Sequence, residues 1–469
     1  MNETGLHRLA VAQLAELVQS RRISPVEIAE AFIDRATKLQ PTLNALITTT
    51  YDQALAKASL AEAEIMKGNY RGPLHGIPIG LKDLFWTKNI RTTSGSAVTA
   101  DFLPTEDATV VAKLQNAGSY SIAKTNMVEY AYGGAEHNDL YGAPLNPWDL
   151  ECVTGGSSSG SGAAVAAGMV PLALGSDTAG SVRSPASLCG LSGLKPTYGL
   201  VSKYGVTPLS WSQDHVGPMA KTAEDLAIAM DAMVGHDPRD PSSVYRKPES
   251  YFKGLSTDIS NLRIAVPSNH IWQVMHPEVR KAFWNAMGAL EALGAKIEEV
   301  EIPELDYISI AQVTITLAEA TSYHAEMIRA RPNDYHPGVR RRIETGFFLP
   351  ANAFVDALRV RSLMERRWNE LFATYSLIAT PTNPIYAPKF GENEMRTQDG
   401  LITTRELVRL TRLFNPNGLP SASIPNGFSL SGMPIGLQLT GKRFDDRLVL
   451  AVGHAYQQVT EWHKVFPAI

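Results

Sequence analysis

Between Cys152 and Gly199 only Asp177, Arg183 and Lys195 carry charge, whereas 19% of the 469 residues do so overall. So long a charge-poor run implies burial. It opens Gly155-Gly156-Ser157-Ser158-Ser159-Gly160-Ser161-Gly162, crosses an alanine-rich segment, reaches Asp177-Thr178-Ala179-Gly180-Ser181 and closes on Gly193-Leu194-Lys195-Pro196-Thr197. Small residues permit close backbone approach and positive φ, so the two serine-glycine clusters read as tight turns flanking a helix and a short strand. Buried serines at tight turns point toward catalysis.

The rest of the composition narrows the function classes. Hydrophobic residues at 44% and a mean hydropathy of -0.10 describe a globular chain with ample core, neither disordered nor membranous. No apolar run is long enough to span a bilayer, and Met1 to Ser20 interleaves Glu, His and Arg with its apolar positions, unlike a signal peptide; the expected location is cytoplasmic. Cys152 and Cys189 are too few for a disulfide framework or a four-cysteine zinc site and read as buried free thiols. A net charge of -4 and a pI near 6.3 give no reason to expect nucleic acid as a partner. The run Arg340-Arg341-Arg342, followed by Arg359, Arg361, Arg366 and Arg367, reads as a solvated helix face.

Taken in order, the chain alternates helices and strands. Leu9 to Leu39 shows helical spacing broken at Ser24-Pro25, a cap followed by a first-turn proline. A helix from Tyr51 to Lys67 precedes a short apolar strand that ends at Leu81-Lys82-Asp83. Helix 107–116, strand 119–123, helix 223–234, strands 262–267 and 296–302, a helix over 279–293, a mainly helical stretch over 311–375 broken near Pro332 and Pro350, and a final helix over 446–462 follow. Segments 146–154 and 388–400 read as a turn and a loop. This alternation predicts an α/β fold, one large domain over 1–469.

Several chemistries lack their motifs. No phosphate-binding P-loop, no G-x-G-x-x-G after a strand and no H-E-x-x-H pair occurs. Gly156-Ser157-Ser158-Ser159-Gly160 matches the G-x-S-x-G nucleophile elbow, which would make Ser158 the nucleophile, but its approach through Asn146-Pro147-Trp148 is turn-like where an elbow needs a strand. The alternative uses two serines and a lysine. Ser181 attacks a carbonyl, Ser157 relays its proton, and a neutral Lys82 is the terminal base. A lysine is charged at its ordinary pKa, and burial at the end of an apolar strand is what would make it neutral.

These residues resemble the amidase signature family of serine hydrolases. The resemblance rests on Gly155 to Ser158, on Asp-Thr-x-Gly-Ser-x-Arg at Asp177 to Arg183, on Gly193 to Thr197, and on the spacing of Lys82, Ser157 and Ser181. It extends to Gly72–Asp83, Lys124–Glu129, Asn146-Pro147-Trp148, Pro381-Thr382, Gly418-Leu419-Pro420 and Pro434–Gln438. The family implies a central mixed, twisted β-sheet covered by helices on both faces. It also implies a core signature region over about 72–200, and Ser181 as nucleophile, Ser157 as bridging serine after a cis peptide and Lys82 as base. Backbone N–H groups of Thr178, Ala179, Gly180 and Ser181 would form the oxyanion hole. Gly156, Ser158, Asp177 and Arg183 would support the loops, and Met127, Tyr132, Gly133 and Trp211 are candidate substrate contacts. Two positions depart from the family pattern: Ala179 and Ser159 stand where glycine is common, and alanine does not adopt positive φ cheaply.

The expected activity is hydrolysis of a small amide through an acyl-enzyme, with no metal or organic cofactor, by a monomer or homodimer. A carbamate fits equally, because an oxyanion hole reads the carbonyl and not its second substituent. Phe85, Trp86, Tyr132, Trp211, Phe347, Phe348 and Phe414 are aromatic candidates for a substrate channel, which gives a mild preference for aryl amides. Specificity is expected in the variable segments 235–254, 311–350 and 388–401. The rival reading is the glutamine-hydrolysing (amidase) component of a tRNA-dependent amidotransferase. That component places an acidic residue near the position of Val408, where this chain has Leu407-Val408-Arg409. A relative that only binds a ligand would be expected to lack Lys82, Ser157 or Ser181, and all three are present.

Overall fold

A computed structural model describes residues 3–134, 138–247, 249–397 and 400–469. Among the described residues, eleven strands hydrogen-bond into one mixed sheet. Their spatial order is Leu46–Thr49, Tyr120–Thr125, Pro78–Lys82, Leu172–Asp177, His215–Ala220, Ser192–Lys195, Ser421–Phe428, Pro434–Gly441, Leu377–Pro381, Arg263–Pro267 and Lys296–Val300. Pro78–Lys82 lies parallel to both its neighbours, the pairings from Leu172–Asp177 across to Leu377–Pro381 are antiparallel, and the last two, through Arg263–Pro267 to Lys296–Val300, are parallel again. Every residue of Leu172–Asp177, His215–Ala220 and Pro434–Gly441 is buried. Side chains alternate across a strand, so both faces of the central sheet are covered.

The helical starts and stops have local causes. Ser24 caps Pro25–Leu43: its hydroxyl accepts from Glu27 N at 3.1 Å and the Glu27 carboxylate accepts from Ser24 N at 2.7 Å. Leu305–Ala330 ends before Pro332, and Ala351–Phe372 starts after Pro350. These two long helices pack on each other over an apolar layer that includes Ile308, Ile315, Met364 and Trp368.

Several elements differ from the sequence reading. Leu46–Thr49, His215–Ala220 and Ser421–Phe428 are strands that local pattern did not announce. Gly217, Pro218 and Pro425 disguise the last two, and a register shift after Pro425 absorbs the missing donor. A second helix, Arg183–Leu188, follows Ser181. The expected turn at 146–154 contains a short ribbon of Leu145–Asn146 with Asp149–Val153. The expected loop at 388–400 contains a hairpin of Glu394–Thr397 with Gly400–Thr403. Pro248, Gln398 and Asp399, within two of the variable segments, lie outside the described residues. Both cysteines are buried free thiols, and among the described residues no helix is long and apolar enough to cross a membrane.

Candidate active site

Lys82 is the last residue of a strand held between two others, so its side chain leaves the sheet from the interior. The next residue pins the strand end. Asp83 Oδ2 accepts from Thr93 N and Thr93 Oγ1, and Lys124 Nζ lies 3.6 Å from Oδ1 while donating to Phe85 O and Thr92 Oγ1. Lys82 itself is wholly buried. Its Nζ donates to Ser157 Oγ at 2.7 Å and to Ser176 Oγ at 3.0 Å. Burial pulls its pKa down to about 7, against the opposing pull of the Asp177 and Asp214 carboxylates. An amine in that state donates and accepts near neutral pH.

The first serine turn reaches this amine through Ser157, and the second lies against the first. The Gly156–Ser157 peptide is cis, Ser157 O accepts from Val128 N, and Ser158 N donates to Ser181 O at 3.3 Å. Ser181 sits at the start of the Arg183 helix and is mostly buried. Ser158, the elbow candidate, directs its hydroxyl at Ser176 O at 3.3 Å and is wholly buried. The strand before it belongs to a two-stranded ribbon, not to the main sheet.

Asp177 organises the Thr178–Ser181 turn. Its oxygens accept from Gly180 N at 2.8 Å, Val182 N at 3.2 Å, Arg183 Nε and Nη2, and Asn415 Nδ2. Burial alone would raise its pKa; the Arg183 guanidinium and these hydrogen bonds override that and hold it well below the usual carboxylate range. Arg183 also donates to Thr411 O, Gln438 Oε1 and Asn415 Oδ1. From the other side Thr411 Oγ1 donates to Ala179 O at 2.6 Å, Thr178 Oγ1 to Asp214 Oδ1 at 2.6 Å, and Gln312 Nε2 to Thr178 O at 3.2 Å.

Two expectations for this turn change. The Gly180 N–H is already committed to Asp177, so the backbone donors that remain for an oxyanion are those of Thr178, Ala179 and Ser181. The positive φ of the turn falls on Gly180, at +133°, where a Cβ would collide with Thr411. Ala179 therefore meets no conformational demand that only glycine satisfies.

The candidate substrate contacts scatter. Met127 is wholly buried, under Gly95, so its side chain belongs to the core. Tyr132 and Gly133 are half-buried; Tyr132 O accepts from Arg342 Nη1 at 2.7 Å, with the guanidinium over its ring. Arg342 thus departs from the solvated face expected of the arginine run, of which Arg359 is an exposed member. Trp211 is 62% exposed, Phe347 and Phe348 are on the surface, and Phe85 and Phe414 are core. Ser176, Asp214, Thr411, Asn415 and Gln438 went unread in the sequence as site residues. Gln438 carried a signal, being the one amide in a strand otherwise apolar or small. Among the described residues no group of three or more His, Cys, Asp or Glu is placed to hold a metal ion.

The eleven-stranded mixed α/β sheet with both faces covered is the fold of the amidase signature hydrolases. The Amidase family model matches residues 27–450, and the chain belongs to that family, whose members act on carbon–nitrogen bonds. It is 38% identical to a glutamyl-tRNA(Gln) amidotransferase component of Carboxydothermus hydrogenoformans, over 99% of this chain and 100% of that one. Among solved structures it is similar to a protein described with a vestigial complex that reveals the origins of an s-triazine catabolic enzyme. That likeness has a TM-score of 0.92 and 34% identity, over 96% of this chain and 98% of the other. A bacterial aryl acylamidase of the amidase signature family is 27% identical, with a TM-score of 0.90 and 99% coverage of both chains.

Proposed function

We propose that this chain hydrolyses a small amide or carbamate through an acyl-enzyme on Ser181. The observation that carries the reading is the wholly buried Lys82, its pKa pulled down by burial, with Nζ 2.7 Å from Ser157 Oγ. Ser181 Oγ attacks the carbonyl carbon; its proton passes to Ser157, which gives its own to Lys82. The Thr178, Ala179 and Ser181 N–H groups hold the oxyanion, donors of a kind each worth roughly 3 to 4 kcal/mol when removed. Collapse of the tetrahedral adduct breaks the carbon–nitrogen bond, and the amine leaves with the proton returned from Lys82 through Ser157. Water repeats the sequence to release the acid. An aryl amide or a carbamate, the urethanase reaction, places the same carbonyl before the same groups.

A second reading is glutamine hydrolysis within a tRNA-dependent amidotransferase, and the full-length identity to the Carboxydothermus hydrogenoformans protein favours it. The local chemistry does not. Glutamine brings an ammonium that needs an acidic partner, which the family resemblance leads one to expect near residue 408; the segment folded over the Thr178–Ser181 turn has Val408 there, with Arg409 and Arg412 beside it. Glu406 in this segment is 3.8 Å from Arg409. Hydrolysis of a primary amide, an anilide, a carbamate and glutamine by wild type, Ser181→Ala and Ser158→Ala separates the readings. Activity on one of the first three, lost ~10³-fold or more in Ser181→Ala and kept in Ser158→Ala, is expected. Glutaminase activity with a co-purifying partner would establish the second reading, and loss in Ser158→Ala alone would restore the elbow.

A further inference from the structure

The Leu305–Ala330 helix runs past the Thr178–Ser181 turn. Gln312, Thr316, Glu319 and Tyr323 follow one another along it at intervals of four, three and four residues, the spacing of a single helical face. The inner end is anchored by the Gln312 bond to Thr178 O and by a bond from Gln312 Nε2 to Thr316 Oγ1 at 2.9 Å. Farther out, Glu319 Oε2 accepts from Ser210 Oγ at 2.5 Å and Ser212 N at 3.2 Å. The loop that supplies those donors is tied to the same turn. Asp214 Oδ2 accepts from Leu209 N and Ser210 N, and Oδ1 accepts from Thr178 Oγ1. Glu319 and Tyr323 then line a cavity of about 500 Å³ with Pro208, Leu209, Trp211 and Phe354. Its size is that of a small-molecule site.

A carboxylate among those walls lacks a counter-ion. Both donors to Glu319 are neutral, and among the described residues no lysine, arginine or histidine nitrogen lies within 4.0 Å of it. Arg361 reaches the neighbouring Ser212 Oγ, at 3.3 Å, and not the carboxylate. Two neutral hydrogen bonds fix the orientation of a carboxylate without neutralising it. A carboxylate that lines one cavity with an indole and a phenol is suited to an ammonium group.

We propose that this cavity is a subsite for a protonated amine at the far end of the substrate, with Glu319 as its counter-ion and Trp211 and Tyr323 against the apolar spacer. The proposal rests on Ser181 as the attacking group. Gln312, at the turn, and Glu319 are seven residues apart, which is ~10 Å along the helix. The substrate class is therefore an amide or carbamate whose second nitrogen lies ~10 Å from the scissile carbonyl: an ω-aminoacyl amide, or a monoacylated diamine with an alkyl or aryl spacer.

Two homologous series test it, ω-aminoacyl anilides and monoacetylated α,ω-diamines, with chains of about four to ten methylenes to bracket that reach. Each compound is paired with a methyl-terminated isostere. In one series kcat/KM should favour the amine over its isostere by ~10-fold or more at the spanning length and not at the shortest. In Glu319→Gln, which keeps an acceptor for Ser210 and Ser212, that ratio should fall to about one. A ratio taken within one protein cancels any general loss of activity. A flat ratio in both series, or a preference that survives in Glu319→Gln, overturns the subsite. Calorimetric titration with monoacetylated octanediamine gives a readout independent of turnover, and binding should be seen in wild type and lost in Glu319→Gln. Glu319-dependent binding without hydrolysis of any amide would keep the amine subsite and sink the hydrolase reading. Hydrolysis of neutral amides with neither amine preference nor binding would do the reverse.

Discussion

Replacing Lys82 with methionine should make the stability of this protein less dependent on pH, and the size of the change follows from burial. The folded pKa of Lys82 is lowered from 10.5 to about 7, first by desolvation. The unfolded chain, with an ordinary lysine, binds the extra proton across that interval. Stability therefore rises with pH between about 7 and 10.5, and the cost of burying the amine is complete below about 7. Each pH unit within the window is worth about 1.4 kcal/mol, so the cost at neutral pH is on the order of 5 kcal/mol. Methionine removes that cost but leaves the Ser157 and Ser176 hydroxyls without the amine, a penalty of about 1 to 3 kcal/mol each that does not vary with pH. The informative quantity is the slope of the difference. Between pH of about 7 and about 9, wild type should gain roughly 2 to 3 kcal/mol on Lys82→Met. Lys124 and Lys221, also lowered by burial, are present in both proteins and cancel. Urea unfolding of both at several pH values, with equal m, measures it. A difference that stays constant with pH would mean that Lys82 is charged in the folded protein, and the base assigned to it would fall.

Three further outcomes are expected. The kcat/KM of wild type should rise with pH through about 7 and level off above it, as Lys82 loses its proton, and a profile without that limb would point to another base. Gly180→Ala should lose activity by ~10²-fold or more and cost about 1 to 3 kcal/mol in thermal unfolding, because φ is +133° and the new Cβ meets Thr411; near-wild-type activity would contradict this geometry. Asp177→Asn leaves the buried Arg183 without its charge partner and should destabilise by about 3 to 5 kcal/mol, measured by urea midpoint.

The chain displayed the residues of its candidate site more readily than their supports. Lys82 stood out because a charge ends an apolar strand, and Ser157 and Ser181 because serine and glycine cluster in a segment almost free of charge. The Lys82–Ser157 contact and the bond from Ser158 N to Ser181 O are visible only in three dimensions, where Ser176 completes the contacts of Lys82 from the strand that ends at Asp177. The anchors of the Thr178–Ser181 turn are less legible still. Thr411, Asn415 and Gln438 lie in the last quarter of the chain, and no local periodicity links them to Asp177 or Arg183. The same limit hid His215–Ala220, whose glycine and proline argue against a strand until its two antiparallel neighbours are known. Ala179 drew attention as the unusual residue, yet the conformational demand sits one position later.

The turn is held unequally from its two sides, and this bears on what family likeness says about substrate. Toward the C-terminal strands, Asp177, Arg183, Asn415 and Gln438 form a buried, charge-bearing network that engages three backbone N–H groups following Asp177. A change there disturbs a buried charge and its partners together. Toward the Leu305–Ala330 helix, the turn receives one neutral hydrogen bond, from Gln312. The outer part of that helix reaches the turn only indirectly, from Glu319 through Ser210 and Asp214 to Thr178. Relatives that share the chemistry therefore need not share the substrate, and the positions proposed to decide it here are Val408, where the glutamine reading expects an acidic residue, and Glu319, where a carboxylate faces a cavity without a counter-ion among the described residues.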